Sequence, residues 1–148
     1  MKCALIEGHS EIVSILLRSG SDPNEIIEPD SGWTPLIEAS LEGHVEIIKL
    51  LLKSGADFRK KDKFGKTALH AASSMDHVQV VDLLIFAGVD VGSIDDSGKN
   101  ALDSAIETKS KNVVCYLLSR GHTVKDESVV IELIGKSVWD SIRKEIKK

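Results

Sequence analysis

A block of this sequence returns at a fixed spacing. Gly32, Thr34 and Leu36 are followed 33 positions later by Gly65, Thr67 and Leu69, and Gly98 and Leu102 come 33 after those. Leu50-Leu51-Leu52 before Gly55 answers to Leu83-Leu84-Ile85 before Gly88, and to Tyr116-Leu117-Leu118 before Gly121. A period of this size means a stacked array of one supersecondary unit.

The unit can be read from Asp62 to Ile94. Asp62-Lys63-Phe64-Gly65 is turn material, with Gly65 free to take a positive φ. Thr67 stands where an N-cap belongs, ahead of a short helix, Ala68-Leu69-His70-Ala71-Ala72. Asp76-His77 breaks it, and Val78 to Ala87 reads as a second helix burying Val80, Val81, Leu83, Leu84 and Ile85. Gly88 then ends that helix in the left-handed region. Helices this short are marginal alone in water, so each must lean on its neighbours. The fold class is therefore all-α, a solenoid of helix-turn-helix units with projecting turns. Other units vary the theme: Thr34-Pro35 gives a cap and a proline at the first helical position, and Asn100 with Asp103 keeps a capping box. Two extra residues in the Pro23–Pro29 stretch fall in a projecting loop, where they cost little.

These residues resemble the ankyrin repeat family. Thr34-Pro35-Leu36 with Ala39, Gly43-His44 and Gly55-Ala56-Asp57 follows its pattern closely, and Thr67-Ala68-Leu69-His70-Ala71-Ala72 keeps its histidine. Ile37 and Asp103 stand where the family has that histidine. The expected organisation is a single ankyrin repeat domain over 1–148, with units at about 1–28 (truncated at its start), 29–61, 62–94 and 95–127. A C-terminal helical cap follows at 128–148.

The ends differ from the middle. Residues 1–22 align with 36–57, so the first unit has no preceding turn, yet its second helix carries Ile12, Val13, Ile15, Leu16 and Leu17. Terminal units need a polar outer side. The expectation is a fragment of a longer array, or self-association through the N-terminal unit. At the other end, Val138, Trp139, Ile142 and Ile146 share one side of a helix whose other side is Asp140, Arg143, Lys144 and Lys147, an amphipathic cap.

The 148 residues carry a formal charge of −4, which provides no basic field for nucleic acid. No apolar run is long enough for membrane insertion. Cys3 and Cys115, about three units apart, are too distant for a disulfide and read as reduced, buried small hydrophobes of a cytoplasmic or nuclear protein. Gly65-Lys66-Thr67 ends like a phosphate-binding loop, but Lys60 occupies the place of the required first glycine; Gly98-Lys99 fails likewise at Ser93 and Asn100. His9, His44 and His77 occupy one corner in three units, a helix-pair width apart, too far to share a metal ion. No nucleophile, base and orienting group can be assembled, so no enzyme, no cofactor, no metal and no small-molecule substrate are expected.

What the family resemblance implies is a partner-binding surface on the turns and the late first helices. Carried over by position, it comprises Asp30, Ser31, Trp33, Leu41 and Glu42; then Lys63, Phe64, Lys66, Ser74 and Met75; then Asp96, Ser97, Lys99, Glu107 and Thr108. Trp33 and Phe64 are the expected aromatic anchors, with Leu41 and Met75 extending them. Arg59, Lys60, Lys61, Lys63 and Lys66 cluster on one turn against Asp57 and Asp62, which suits a partner with an acidic segment or simply a solvated turn. The expected function is a non-enzymatic protein-protein interaction module, an adaptor, targeting subunit or inhibitor that binds a protein or peptide. The alternative is a structural spacer or a portion of a larger ankyrin-containing protein.

Overall fold

In the computed structural model, which describes residues 1–146, ten helices follow one another along the chain. They are α1 (Lys2–Ile6), α2 (Ser10–Arg18), α3 (Pro35–Glu42), α4 (Val45–Lys53), α5 (Ala68–Ser74), α6 (Val78–Phe86), α7 (Ala101–Glu107), α8 (Lys111–Ser119), α9 (Glu127–Ile134) and α10 (Lys136–Ile146). The first helices pack in a row, α1 on α3 on α5 on α7, and the second helices form a parallel row, α2 on α4 on α6 on α8. Each hairpin closes on itself, and α9 and α10 cover the far end against α7 and α8. Among the described residues there is no β-strand, only an isolated bridge between Glu28 and Trp33. Lys147, expected on the polar side of the last helix, lies outside the described residues.

Small residues at one register let the first helices approach: Ala4, Ala39, Ala72 and Ala105 are all buried. The second helices fill the space beside them with Val13, Ile48, Val81 and Val114, again at one register and wholly buried. Trp139 and Ile142 of α10 close the last hairpin, while Val138 and Ile146 stay exposed at its edge.

The caps fall where the sequence places them. Thr67 and His70 form a reciprocal box at the start of α5, and Asn100 and Asp103 do the same at α7, with bonds of 3.1 and 2.9 Å. Thr34 Oγ1 accepts the Ile37 amide at 3.4 Å, a longer bond. After α6 the capping residue is Ala87 in a right-handed conformation, and Gly88 takes the positive φ one position later.

Successive hairpins are stitched by a polar seam. His44 Nε2 bonds the Ile6 carbonyl at 3.1 Å, His77 Nε2 bonds the Leu41 carbonyl at 2.9 Å, and Ser110 Oγ donates to the Ser74 carbonyl at 3.1 Å. Gly43, at φ +76, is needed here twice over: a Cβ would strain its backbone and meet the His77 ring at 2.7 Å. His9, at the same register in α2's cap, is exposed. Ile12 is 48% exposed although its counterpart Ile47 is 1% exposed, because among the described residues no helix packs on that face of α1 and α2. Cys3, expected to be buried, is exposed for the same reason, and Cys115 is half-buried. Both thiols are free.

Candidate interaction surface

The second and third projecting turns are each built by an aspartate that caps its own backbone, whereas the first carries Pro29 at that register. Asp62 Oδ1 accepts the amides of Phe64 and Lys66, both at 2.8 Å, and Asp95 Oδ1 accepts those of Ser97 and Lys99 at 2.9 and 3.0 Å. Burial disfavours the Asp95 carboxylate, but the Lys99 and Ser97 amides outweigh it and lower its pKa. Neighbouring turns are then tied to each other through main chain: Lys63 N donates to Ser31 O at 2.9 Å, and Asp96 N to Phe64 O at 3.0 Å. The turns therefore form a continuous, fixed edge beside the row of first helices.

His70 anchors that edge to α5. Its Nδ1 accepts the Thr67 amide at 3.2 Å, which leaves Nε2 to donate to the Lys99 carbonyl at 3.0 Å in the neutral ring. Burial pushes the imidazole pKa down, opposed by the Lys99 carbonyl. At the equivalent place Ile37 is a buried apolar residue, and Asp103 serves only the Asn100 box.

The sequence-derived contact residues divide by exposure. Phe64 and Met75, just before and just after α5, are 60% and 53% exposed. Trp33 is half-buried and packs on the core, with its amide bonded to Glu28 O at 3.2 Å and its carbonyl accepting from Ile27 N at 2.9 Å. Leu41 is half-buried as well, and its carbonyl is the His77 acceptor. Glu42 and Lys63 are exposed, whereas Lys66 is half-buried. Lys99 donates to Glu107 at 2.7 Å, an ion pair that raises the ammonium pKa. Thr108 Oγ1 donates back to the Ser104 carbonyl at 3.1 Å and so is partly committed to its own helix end.

Exposed apolar residues also lie outside that set. Ile26 and Ile94 are exposed on the first and third turns. Ile26, Pro29, Gly32, Lys61, Asp62 and Lys63 line a shallow groove between the first two turns. On the opposite side of the molecule Phe86 is 91% exposed at the end of α6. Its register holds Arg18, Lys53 and Ser119 in the other second helices, and that contrast was available in the sequence. Beside it in the same row, Tyr116 of α8 and Arg120, which caps that helix, both bond Asp82 of α6, Arg120 at 3.0 Å, which ties two hairpins together.

Glu38, like Asp95, carries a buried carboxylate. It is 4% exposed, its Oε2 has no hydrogen-bond partner, and desolvation raises its pKa, with Glu42 adding to the effect. The nearby ammonium of Lys2 is engaged with Glu28. Among the described residues no group of three or more His, Cys, Asp or Glu side chains could hold a metal ion. No helix of the described residues is long and apolar enough to cross a membrane.

Two rows of short helices, projecting turns tied to one another through main chain and a polar seam of His44, His77 and Ser110 between successive hairpins make a repeat stack. The sequence matches the family described as Ankyrin repeats (3 copies), over residues 1–62 and 57–128. The chain belongs to the ankyrin repeat family. No curated protein matches it. Ankyrin repeats in general mediate protein binding.

Proposed function

We propose that this ankyrin stack is a non-enzymatic interaction module, acting in the cytoplasm as an adaptor, targeting subunit or inhibitor. Its protein or peptide partner lies along the turns and first helices. The observation that carries this reading is the pair Phe64 and Met75, two large apolar side chains left in water at either end of α5 on an otherwise fixed edge. Binding energy concentrates in a few such side chains set on rigid backbone. Lys63, Lys66, Glu42, Lys99 and Thr108 supply the polar surround, while Trp33 and Leu41 support the surface from beneath.

The test is quantitative capture of partners by the wild-type chain and by the Phe64→Ala/Met75→Ala variant, with Phe86→Ala as the control. The double variant should lose at least about tenfold in affinity for a captured partner with little change in melting temperature. Loss on Phe86→Ala with the double variant unaffected would overturn the reading.

A second reading rests on a different observation, the exposed Ile12 and unpartnered His9 at the α1–α2 end. There the stack would act as a spacer, or self-associate, by receiving another helix pair on that face.

A further inference from the structure

Five cations crowd the second turn: Arg59, Lys60, Lys61, Lys63 and Lys66. In a chain of net charge −4 this is a local reversal of sign. The two carboxylates within the turn, Asp57 and Asp62, are outnumbered by these five cations, and each has an oxygen engaged by main chain. Asp57 Oδ1 accepts the Arg59 amide at 3.0 Å, and Asp62 Oδ1 accepts the amides of Phe64 and Lys66. Among the described residues none of the five cations forms an ion pair. Lys61 donates to the Ile94 carbonyl at 2.8 Å, and Arg59 lies over the Phe58 ring at 5.4 Å, so neither meets a carboxylate.

Apolar surface is interleaved with this charge. Phe64 stands exposed between Lys63 and Lys66, and Ile26 and Pro29 form the wall opposite Lys61 and Lys63 in the groove between the first two turns. Exposed acids bound the patch on both flanks, Asp30 on the first turn and Asp96 on the third. The positive stripe is therefore about one turn wide. A long polyanion would run into those acids, whereas a short acidic segment would not.

We propose that the partner docks here through a short acidic peptide segment carrying a large apolar side chain. Its carboxylates would meet Lys60, Lys61, Lys63 and Lys66, and its apolar residue would enter the groove of Ile26 and Pro29 beside Phe64. This rests on the reading of the turns and first helices as the binding surface and names the partner's chemistry. Charge of this kind steers encounter and selects the partner, and its range is about 8 Å at physiological salt.

The probe is a capped peptide of two glutamates, a leucine and two glutamates, titrated at low salt into the isotopically labelled full chain. The same peptide with lysine in place of glutamate and a short single-stranded deoxyoligonucleotide are the comparison arms. The acidic peptide should shift the amides of residues 26–32 and 60–66 saturably. Lys60→Glu/Lys63→Glu should weaken it about tenfold, since reversing rim charges acts chiefly on encounter. Both side chains are exposed, and an unchanged far-ultraviolet dichroism spectrum verifies that the variant is folded. No shift with the acidic peptide, equal shifts with the lysine peptide, tighter binding of the oligonucleotide at the same amides, or indifference to the charge reversal would each overturn the proposal. Should partner capture depend on Phe64 and Met75 but not on the lysines, the binding surface stands and the acidic partner falls.

Discussion

Glu38 occupies a register that holds Ala71 in α5 and Ser104 in α7, so a carboxyl group is buried where the other hairpins bury something small. Its Oε2 has lost water without gaining a partner, which costs of the order of 1–3 kcal/mol for a buried polar group. Because the folded-state pKa is raised above the ordinary 4.5, the folded chain holds this proton more tightly than the unfolded chain. Stability therefore falls as pH rises from about 4.5 through the raised value, and the penalty is fully present above it. Glu38→Gln removes the charge and keeps the shape. Thermal melts from pH 4 to 8 should show the variant gaining about 1 kcal/mol over wild type near pH 7 and nothing at the acid end. A variant that melts lower than wild type at pH 7 would mean that Lys2 or another cation satisfies the carboxylate.

The helix pairs show how far a repeat can be read from one sequence. The period, the caps at Thr34, Thr67 and Asn100, the break at Asp76 and the amphipathic last helix all follow from local chemistry, and the structure has them. What periodicity gives less well is which face of a side chain a neighbouring hairpin covers. Trp33 sits on a turn where exposure is expected, but its ring is large enough to reach the core. Cys3 carries a pattern that is buried in the interior hairpins and is exposed in α1, since burial at that register comes from the preceding pair. Ile12 and Ile47 convert this into a measurement. Ile47→Ala should cost about 2–5 kcal/mol, in line with a buried large-to-small change. Ile12→Ala should cost below about 1 kcal/mol at low protein concentration, as for partly exposed sites. If the α1–α2 face pairs with a second copy, the Ile12 cost should grow with protein concentration, because association stabilises by mass action. Equal costs at both positions in dilute solution would contradict the open end.

For the molecule as a whole, the proposed binding surface has one rival. The proposed surface is the edge of turns with the first helices, where the backbone is fixed by aspartate caps and inter-turn hydrogen bonds and where Phe64, Met75 and the lysines protrude. The other is the row of second helices, where Phe86 is bare but stands among the exposed polar and charged groups of Asp82, Ser119 and Arg120. The first has the continuity and the mixed character of a recognition surface, with apolar anchors inside a polar surround. Amide hydrogen exchange of the full chain with and without a captured partner distinguishes them directly. Protection confined to the turns around residues 26–33 and 61–66 and to the end of α5 is the predicted result. Protection centred on α6 and α8 around Phe86, with the turns unchanged, would contradict it.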